Sequence, residues 1–229
     1  MVVEFNLTVV THTRLHNPYP ELLERCKQSV AAALPPNSQH LVLVNNPMEL
    51  HGDSAQFAEF FANLRYSALQ YSQYIAFVDD DDYIHPDSLR TCMDAISQTG
   101  TAVAVTNEIM VDVDGKYLSA YRYPRYYCGV ANHPRTVHHL TVFNRDFVQP
   151  VALELALQFG AGIEWTMRAS ACLTGGAVHV PIDGYYWTQH KHRSTTMSTT
   201  QHLYADKILP LGNAIKNAFP TRFGRIPTV

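Results

Sequence analysis

Residues 74–89 read Tyr74-Ile75-Ala76-Phe77-Val78-Asp79-Asp80-Asp81-Asp82-Tyr83-Ile84-His85-Pro86-Asp87-Ser88-Leu89. The first five form a short, unbroken apolar run, the pattern of a strand covered on both faces. Pro86-Asp87 then opens a segment of helical pattern, predicted to run to about Gln98. Between them stand four consecutive carboxylates. Placed directly after a buried strand, they cannot all be solvated like an ordinary exposed acidic run. A divalent cation that takes hard oxygen ligands, Mg2+ or Mn2+, resolves their repulsion. Capping the next helix with Asp82 or Asp87 would need only one of them.

Working outward, the same alternation repeats. Leu7–Val10 is an apolar strand that turns polar at Thr11-His12-Thr13-Arg14. Glu21–Ala33 has helical spacing and stops at Pro35-Pro36. Leu41–Val44 is a second strand, broken by Asn45-Asn46-Pro47, and Phe57–Tyr71 is helical in pattern. After the acidic run, Thr101–Thr106 reads as a fourth strand. Strand and helix in strict alternation predict an α/β fold with a mostly parallel central sheet flanked by helices. Ligands of such sheets gather at the carboxyl ends of the strands. Thr11–Arg14, Asn45-Asn46 and Asp79–Asp82 all lie at those ends and are expected to share one cleft. The second half is less regular. It contains a hairpin over Ile109–Leu118 with Asp114-Gly115 at its turn, a strand near Val137–Phe143, a helix over Glu164–Leu173 and a strand at Val178–Val180. A polar stretch, Thr188–Gln201, follows.

Of the 229 residues, 46% are hydrophobic and 16% charged, with a net charge of −3. That suits one domain with a core of its own. It excludes a global basic field for nucleic acid or anionic membrane. The four cysteines, Cys26, Cys92, Cys128 and Cys172, form no close pair, and are expected to be reduced thiols in a cytoplasmic protein. No apolar run reaches the ~18 residues of a membrane span, and the amino terminus lacks the basic start of a signal peptide. No stable membrane insertion is expected.

The segment Asn63-Leu64-Arg65-Tyr66-Ser67-Ala68-Leu69, taken with residues 74–89, resembles the inverting GT-A glycosyltransferases of the family 2 type. Their pattern is an Arg-bearing helix, a strand, a D-x-D-D motif, then Pro-Asp and a helix. The resemblance covers about residues 5–200 and is best over 60–90. It implies a single GT-A (Rossmann-like) domain over 1–229, with a nucleotide-sugar-binding half (1–106), a smaller acceptor and catalytic half (107–200) and a C-terminal helix and tail (201–229). It implies transfer of a sugar from a nucleoside-diphosphate sugar, a UDP-sugar being favoured, to an acceptor hydroxyl with inversion, assisted by Mn2+ or Mg2+.

Carried over residue by residue, the resemblance makes Asp79 and Asp81 the D-x-D carboxylates and metal ligands. Asp79 also lies near the ribose, and Asp80 falls among the donor contacts. It puts Arg65 at the nucleotide cleft and Thr11, Thr13 and Arg14 at the base. Asn45 and Asn46 stand where the family usually has an Asp that contacts a uracil. Gly160-Ala161-Gly162-Ile163-Glu164-Trp165 matches the segment that supplies a Glu-Asp pair, with Trp165 where Asp is usual. Glu164 is therefore the candidate general base, and Trp165 falls on the acceptor side. Tyr185–Ser194 resembles the late aromatic strand and its loop. His190 is the candidate metal ligand there, His192 the alternative, and Lys191, Arg193 and Ser194 are candidate diphosphate contacts. His138 and His139 fall where relatives build the acceptor cleft. Nearby Tyr121, Arg122, Tyr123, Arg125, Tyr126, Tyr127 and Arg135 would suit a glycan, a small molecule or a hydroxylated DNA base, or equally a tyrosine-rich core.

Two other readings fit parts of the sequence. A nucleotidyltransferase would want a Gly-rich basic phosphate loop after the first strand, and Thr11–Pro20 has none. A catalytically inactive nucleotide-sugar-binding module would account for Trp165 and for Asn45-Asn46.

Overall fold

The computed structural model describes residues 5–45, 54–122, 138–160, 162–190, 206–207, 209–219 and 226–229. In chain order the strands are β1 (Phe5–Arg14), β2 (Ser38–Asn45), β3 (Ser72–Phe77), β4 (Tyr83–Ile84), β5 (Val103–Asp112), β6 (Tyr117–Tyr121), β7 (Thr141–Asn144) and β8 (Ala177–Gln189). The α-helices are α1 (Pro20–Ala33), α2 (Ser54–Ser67), α3 (Ser88–Thr99), α4 (Pro150–Phe159), α5 (Ile163–Gly175) and α6 (Leu209–Ala218).

All the strands join one sheet in the order β2-β1-β3-β7-β5-β8-β4, with β6 paired to β5. The long ladders, β1 with β2 and β5 with β8, are parallel, as is β1 with β3. The ladders that involve β7 and β4 are antiparallel and short. β5 therefore does not lie beside β3, as a simple parallel continuation would have it. The antiparallel β7 is inserted between them. β5 also runs without a break from the predicted fourth strand into the hairpin, whose turn is closed by Gly115 N donating to the Asp112 carbonyl at 3.0 Å. β8 extends far beyond Val180, through the aromatic stretch to Gln189.

Side chains alternate across the sheet, and each face buries its own half. Val10, Ile75, Phe77, Val105 and Phe143 pack on one side with Leu155 of α4, Trp165 and Met167 of α5 and Ile215 of α6. Leu7, Val9, Ala76, Val78 and Val142 pack on the other with Cys26 and Val30 of α1 and Leu89 and Cys92 of α3. Fully burying each such aliphatic side chain stabilises by about 1.5–3 kcal/mol. Double-sided burial is why β1 and β3 read as continuous apolar runs. Helix α5 is buried all round from Trp165 to Leu173, the mark of a central helix, and its first turn carries Glu164. Gly184 lets β8 pass close to β5, since a Cβ there would stand 2.4 Å from Thr106 Oγ1.

Buried histidines give the fold an acid limit. Burial pushes His12 down to about 3 and His179 down to about 4, against about 6.5 unfolded. A depressed native pKa leaves stability intact above the unfolded value and removes it as pH falls toward the native one. Each of the two is expected to take away about 2 kcal/mol by about pH 5. Burial raises the Asp80 carboxyl, which works in the opposite direction. Thermal unfolding followed from pH 7.5 to 5 should show a falling midpoint (on the order of several degrees), and His179→Asn should flatten the fall. A midpoint indifferent to pH over that range would refute it.

Candidate active site

β3 ends at Phe77, and the acidic loop begins where Val78 N donates to the Val10 carbonyl at 3.1 Å. The four carboxylates take different directions. Asp82 is fully buried. Its Oδ2 accepts from the Tyr185 hydroxyl at 2.8 Å and its Oδ1 from Thr188 N at 2.7 Å, so the loop is bolted to β8. Tyr185 also accepts from Asp79 N at 3.2 Å. Burial, with Asp82 beside it, holds the Tyr185 phenol well above its usual range, so it stays a donor. Asp80 turns the other way: its Oδ2 accepts from Thr13 Oγ1 at 2.6 Å and Asn17 Nδ2 at 2.9 Å. It braces the loop after β1 and does not face the cleft as a donor contact would.

Asp81 Oδ2 lies 2.7 Å from His190 Nε2 at the end of β8. Asp79 Oδ1 is 3.6 Å from Arg65 Nη2, and its Oδ2 is 3.7 Å from His139 Nε2. One oxygen each of Asp79, Asp81 and Asp82 lie within 4.8 Å of one another. Three carboxylates with an imidazole at their edge form a hard-donor set that fits Mg2+ or Mn2+. Asp82 belongs to this set although the D-x-D spacing does not single it out.

Across from the acidic loop, Arg65 of α2 reaches Glu164 Oε1 at 2.8 Å, and its guanidinium lies over the Phe77 ring at 5.0 Å. Arg168, one turn beyond Glu164 and therefore on the same helix face, stands 3.7 Å from Oε2. His139 Nε2 is 4.0 Å from the same oxygen. Burial, reinforced by His138 and Arg168, keeps His139 well below its ordinary pKa, so it stands as a neutral imidazole. Several buried polar atoms here have no hydrogen-bond partner among the described residues: both ring nitrogens of His12, Arg65 Nη1, His139 Nδ1 and His190 Nδ1. Unpaired buried polar atoms are rare and costly, and their concentration around one acidic loop fits a cleft built for a polar ligand.

The structure thus brings Asp79, Asp81, His190, Arg65, Glu164 and His139 together from segments far apart in sequence. It corrects other expectations. Thr11 is fully buried, and its hydroxyl is engaged by His40 Nε2 at 2.9 Å and Cys26 Sγ at 3.6 Å, so it cannot contact a nucleotide base. Trp165 is 1% exposed in the core and offers no surface to an acceptor. His139 is buried against Asp79 and Glu164 rather than lining an acceptor surface. Neither Asp82 nor Asp87 caps α3 with its side chain, because Asp82 is bound by β8 and Asp87 pairs with Arg90 at 2.6 Å. Arg14 is exposed at the end of β1, in register with Asn45. Asn46, Lys191, His192, Arg193 and Ser194, and Tyr123, Arg125, Tyr126, Tyr127 and Arg135, lie outside the described residues. Arg168, Tyr185 and Asn17 were not foreseen. Only Arg168 left a trace in sequence, as a cation four residues from Glu164.

No protein-family profile matches the chain, and no curated protein sequence matches it. Solved structures do. S. aureus TarS 1-349 in complex with UDP superposes with a TM-score of 0.55 at 16% identity, covering 92% of this chain and 65% of that one. The same protein in complex with UDP-GlcNAc gives 0.54 at 13%, over 88% and 66%. The longer S. aureus TarS chain gives 0.53 at 15% identity, over 81% of this chain and only 37% of that one. This chain therefore spans little more than a third of the longer TarS. TarS is a glycosyltransferase of the GT-A fold, and at these identities the likeness shows that the present chain has a GT-A-like fold.

Proposed function

We propose that this protein transfers a sugar from a nucleoside-diphosphate sugar, a UDP-sugar first, to an acceptor hydroxyl with inversion and with the help of Mn2+ or Mg2+. The observation that carries this is the cluster of Asp79, Asp81 and Asp82 oxygens facing Arg65 at the carboxyl ends of parallel strands, ringed by buried polar atoms that lack a partner among the described residues. Support comes from TarS, whose complexes of the same fold hold UDP and UDP-GlcNAc.

In this reading Asp79, Asp81 and Asp82 supply oxygen ligands and His190 an imidazole. A divalent cation bound there would neutralise the diphosphate and stabilise its departure. Arg65 adds a fixed positive charge to the same cleft, oriented by Glu164. By the resemblance, Arg14, Asn45 and Asn46 would serve the base and Lys191, Arg193 and Ser194 the diphosphate, while Thr13 is buried with its hydroxyl donated to Asp80. Glu164 holds the place of the catalytic base in the resemblance. It sits at the site, but both of its oxygens face guanidinium groups. The acceptor is a glycan, a small molecule or a hydroxylated DNA base, met on the His138 side.

Cys26, Cys92 and Cys172 are buried, and no helix among the described residues is long and apolar enough to cross a membrane. We take the cytoplasm as the place of action. A second reading has one observation in its favour. With Trp165 in the core, the cleft lacks the second carboxylate of the usual pair, which suits a module that binds nucleotide sugars without turning them over.

A thermal-shift screen of UDP-, GDP-, CMP- and dTDP-sugars, each with and without Mn2+, tests both. Ligand at about 100 times its Kd stabilises the native state by about 2.7 kcal/mol, so the donor class should raise the unfolding midpoint by several degrees, and only with metal. No metal-dependent shift with any nucleotide would overturn the proposal. A shift without release of nucleoside diphosphate would leave the binding module.

A further inference from the structure

Glu108 lies in the middle of β5 at 2% exposure, where a carboxylate is costly unless paired. Its Oε2 meets His138 Nδ1 at 2.6 Å. A carboxylate on Nδ1 holds the proton there as the donor and leaves Nε2 with the free lone pair. The backbone at His138 is fixed as well, since Thr141 Oγ1 donates to its carbonyl. The imidazole keeps 19% of its surface exposed. It packs edge-on against His139, with ring centroids 4.3 Å apart, and against Trp187 of β8 at 5.9 Å. His139 is the residue that touches Asp79 and Glu164. His139 therefore stands between the Glu108–His138 pair and the acidic loop.

Glu164 is built differently. Arg65 at 2.8 Å from one oxygen and Arg168 at 3.7 Å from the other face it with two guanidinium groups, which makes it a good anchor for Arg65. We propose that His138, held in its tautomer by Glu108, is the group that takes the proton of the acceptor hydroxyl. The inference rests on the glycosyl-transfer reading and moves the base from Glu164 to the imidazole. The proton passes to His138 Nε2. An oxygen lone pair of the acceptor forms the bond to the anomeric carbon. The bond from that carbon to the diphosphate oxygen breaks, and its electron pair leaves with the nucleoside diphosphate. His138 is the catalytic residue of this step and Glu108 a positioning residue. Among the described residues, the titratable groups that face the imidazole are Glu108 from β5 and the neutral His139 beside it, with Trp187 packing from β8.

The test uses the whole chain. Histidine-labelled protein is examined by 15N NMR of the imidazoles, and UDP release from UDP-GlcNAc with Mn2+ is measured for wild type, His138→Asn, Glu108→Gln and Glu164→Gln, alongside the UDP thermal shift of each. The Nδ1–H tautomer is expected at His138 in the wild type and is weakened in Glu108→Gln. His138→Asn should lower kcat by about 10^2–10^4 with the UDP shift retained. Glu108→Gln should lower kcat by about tenfold or more with KM unchanged, and Glu164→Gln should cost less than His138→Asn. An Nε2–H tautomer in the wild type overturns the proposal, as does His138→Asn that binds UDP and releases it within twofold of wild type. The NMR arm needs no ligand and survives a poorly folded His138 variant. Absence of any UDP shift in the wild type would instead count against the transfer reading itself.

Discussion

Asp81→Asn is expected to abolish the Mn2+-dependent part of nucleotide binding and to lower UDP release by about 10^3 or more. Asp81 shares the proposed cation cluster with Asp79 and Asp82 and meets His190 Nε2 at 2.7 Å. Losing that charge removes one ligand and disorients a second, and a bound metal contributes several kcal/mol to stabilising a developing phosphate charge, where about 4 kcal/mol is roughly a thousandfold in rate. The control is its neighbour. Asp80 spends its Oδ2 on Thr13 and Asn17, so Asp80→Asn should weaken the loop after β1 by about 1–2 kcal/mol while the metal dependence survives. UDP thermal shifts at several Mn2+ concentrations, read for both variants, decide the matter. If Asp80→Asn loses the metal response and Asp81→Asn keeps it, the assignment within the acidic run is wrong.

That contrast marks how far the sequence could be read. Double-sided burial writes itself into β1 and β3 as continuous apolar runs, and Asp114-Gly115 announces the hairpin turn. The parallel half and the position of the acidic loop were therefore visible in advance. The insertion of β7 was not. Thr141–Asn144 is four residues long, and its antiparallel seat between β3 and β5 depends on partners far away in the chain. β8 was read as two pieces because Asp183-Gly184 interrupts its apolar pattern, although Gly184 is required there by the close approach of Thr106. In the site, D-x-D spacing pointed to Asp79 and Asp81. The burial of Asp82 depends on Tyr185 and on the backbone of Thr188, more than a hundred residues on, and nothing local signals it. Thr11 and Thr13 share a strand face by alternation, yet only the depth of β1 in the sheet decides that the first is core and the second reaches the loop. Glu108 was hidden for a similar reason: an acid inside an apolar strand is legible as unusual only once its imidazole partner is known.

The largest effect on stability is expected from Trp165→Asp, the change that would recreate the acidic pair at the start of α5. Position 165 stands about 100° around the helix from Glu164, and that rotation takes it away from the cleft and into the core, where Trp165 is among the largest fully buried side chains. Removing a buried Trp costs about 3–5 kcal/mol, and a carboxylate left in its place adds several more unless it takes up a proton. Against a typical stability of about 5–15 kcal/mol, the variant should be largely unfolded or melt far below wild type in urea. Trp165→Phe, which keeps most of the packing, should lose only about 1–2 kcal/mol. A Trp165→Asp protein that keeps the wild-type urea midpoint and releases UDP faster would show that residue 165 faces the cleft after all. With position 165 committed to the core, the usual second carboxylate cannot be restored by a single exchange on α5. In the proposed transfer, Glu164 is then the carboxylate that α5 offers, and it is held by Arg65 at 2.8 Å. The proposed proton acceptor is instead His138, beside His139 and backed by the buried Glu108.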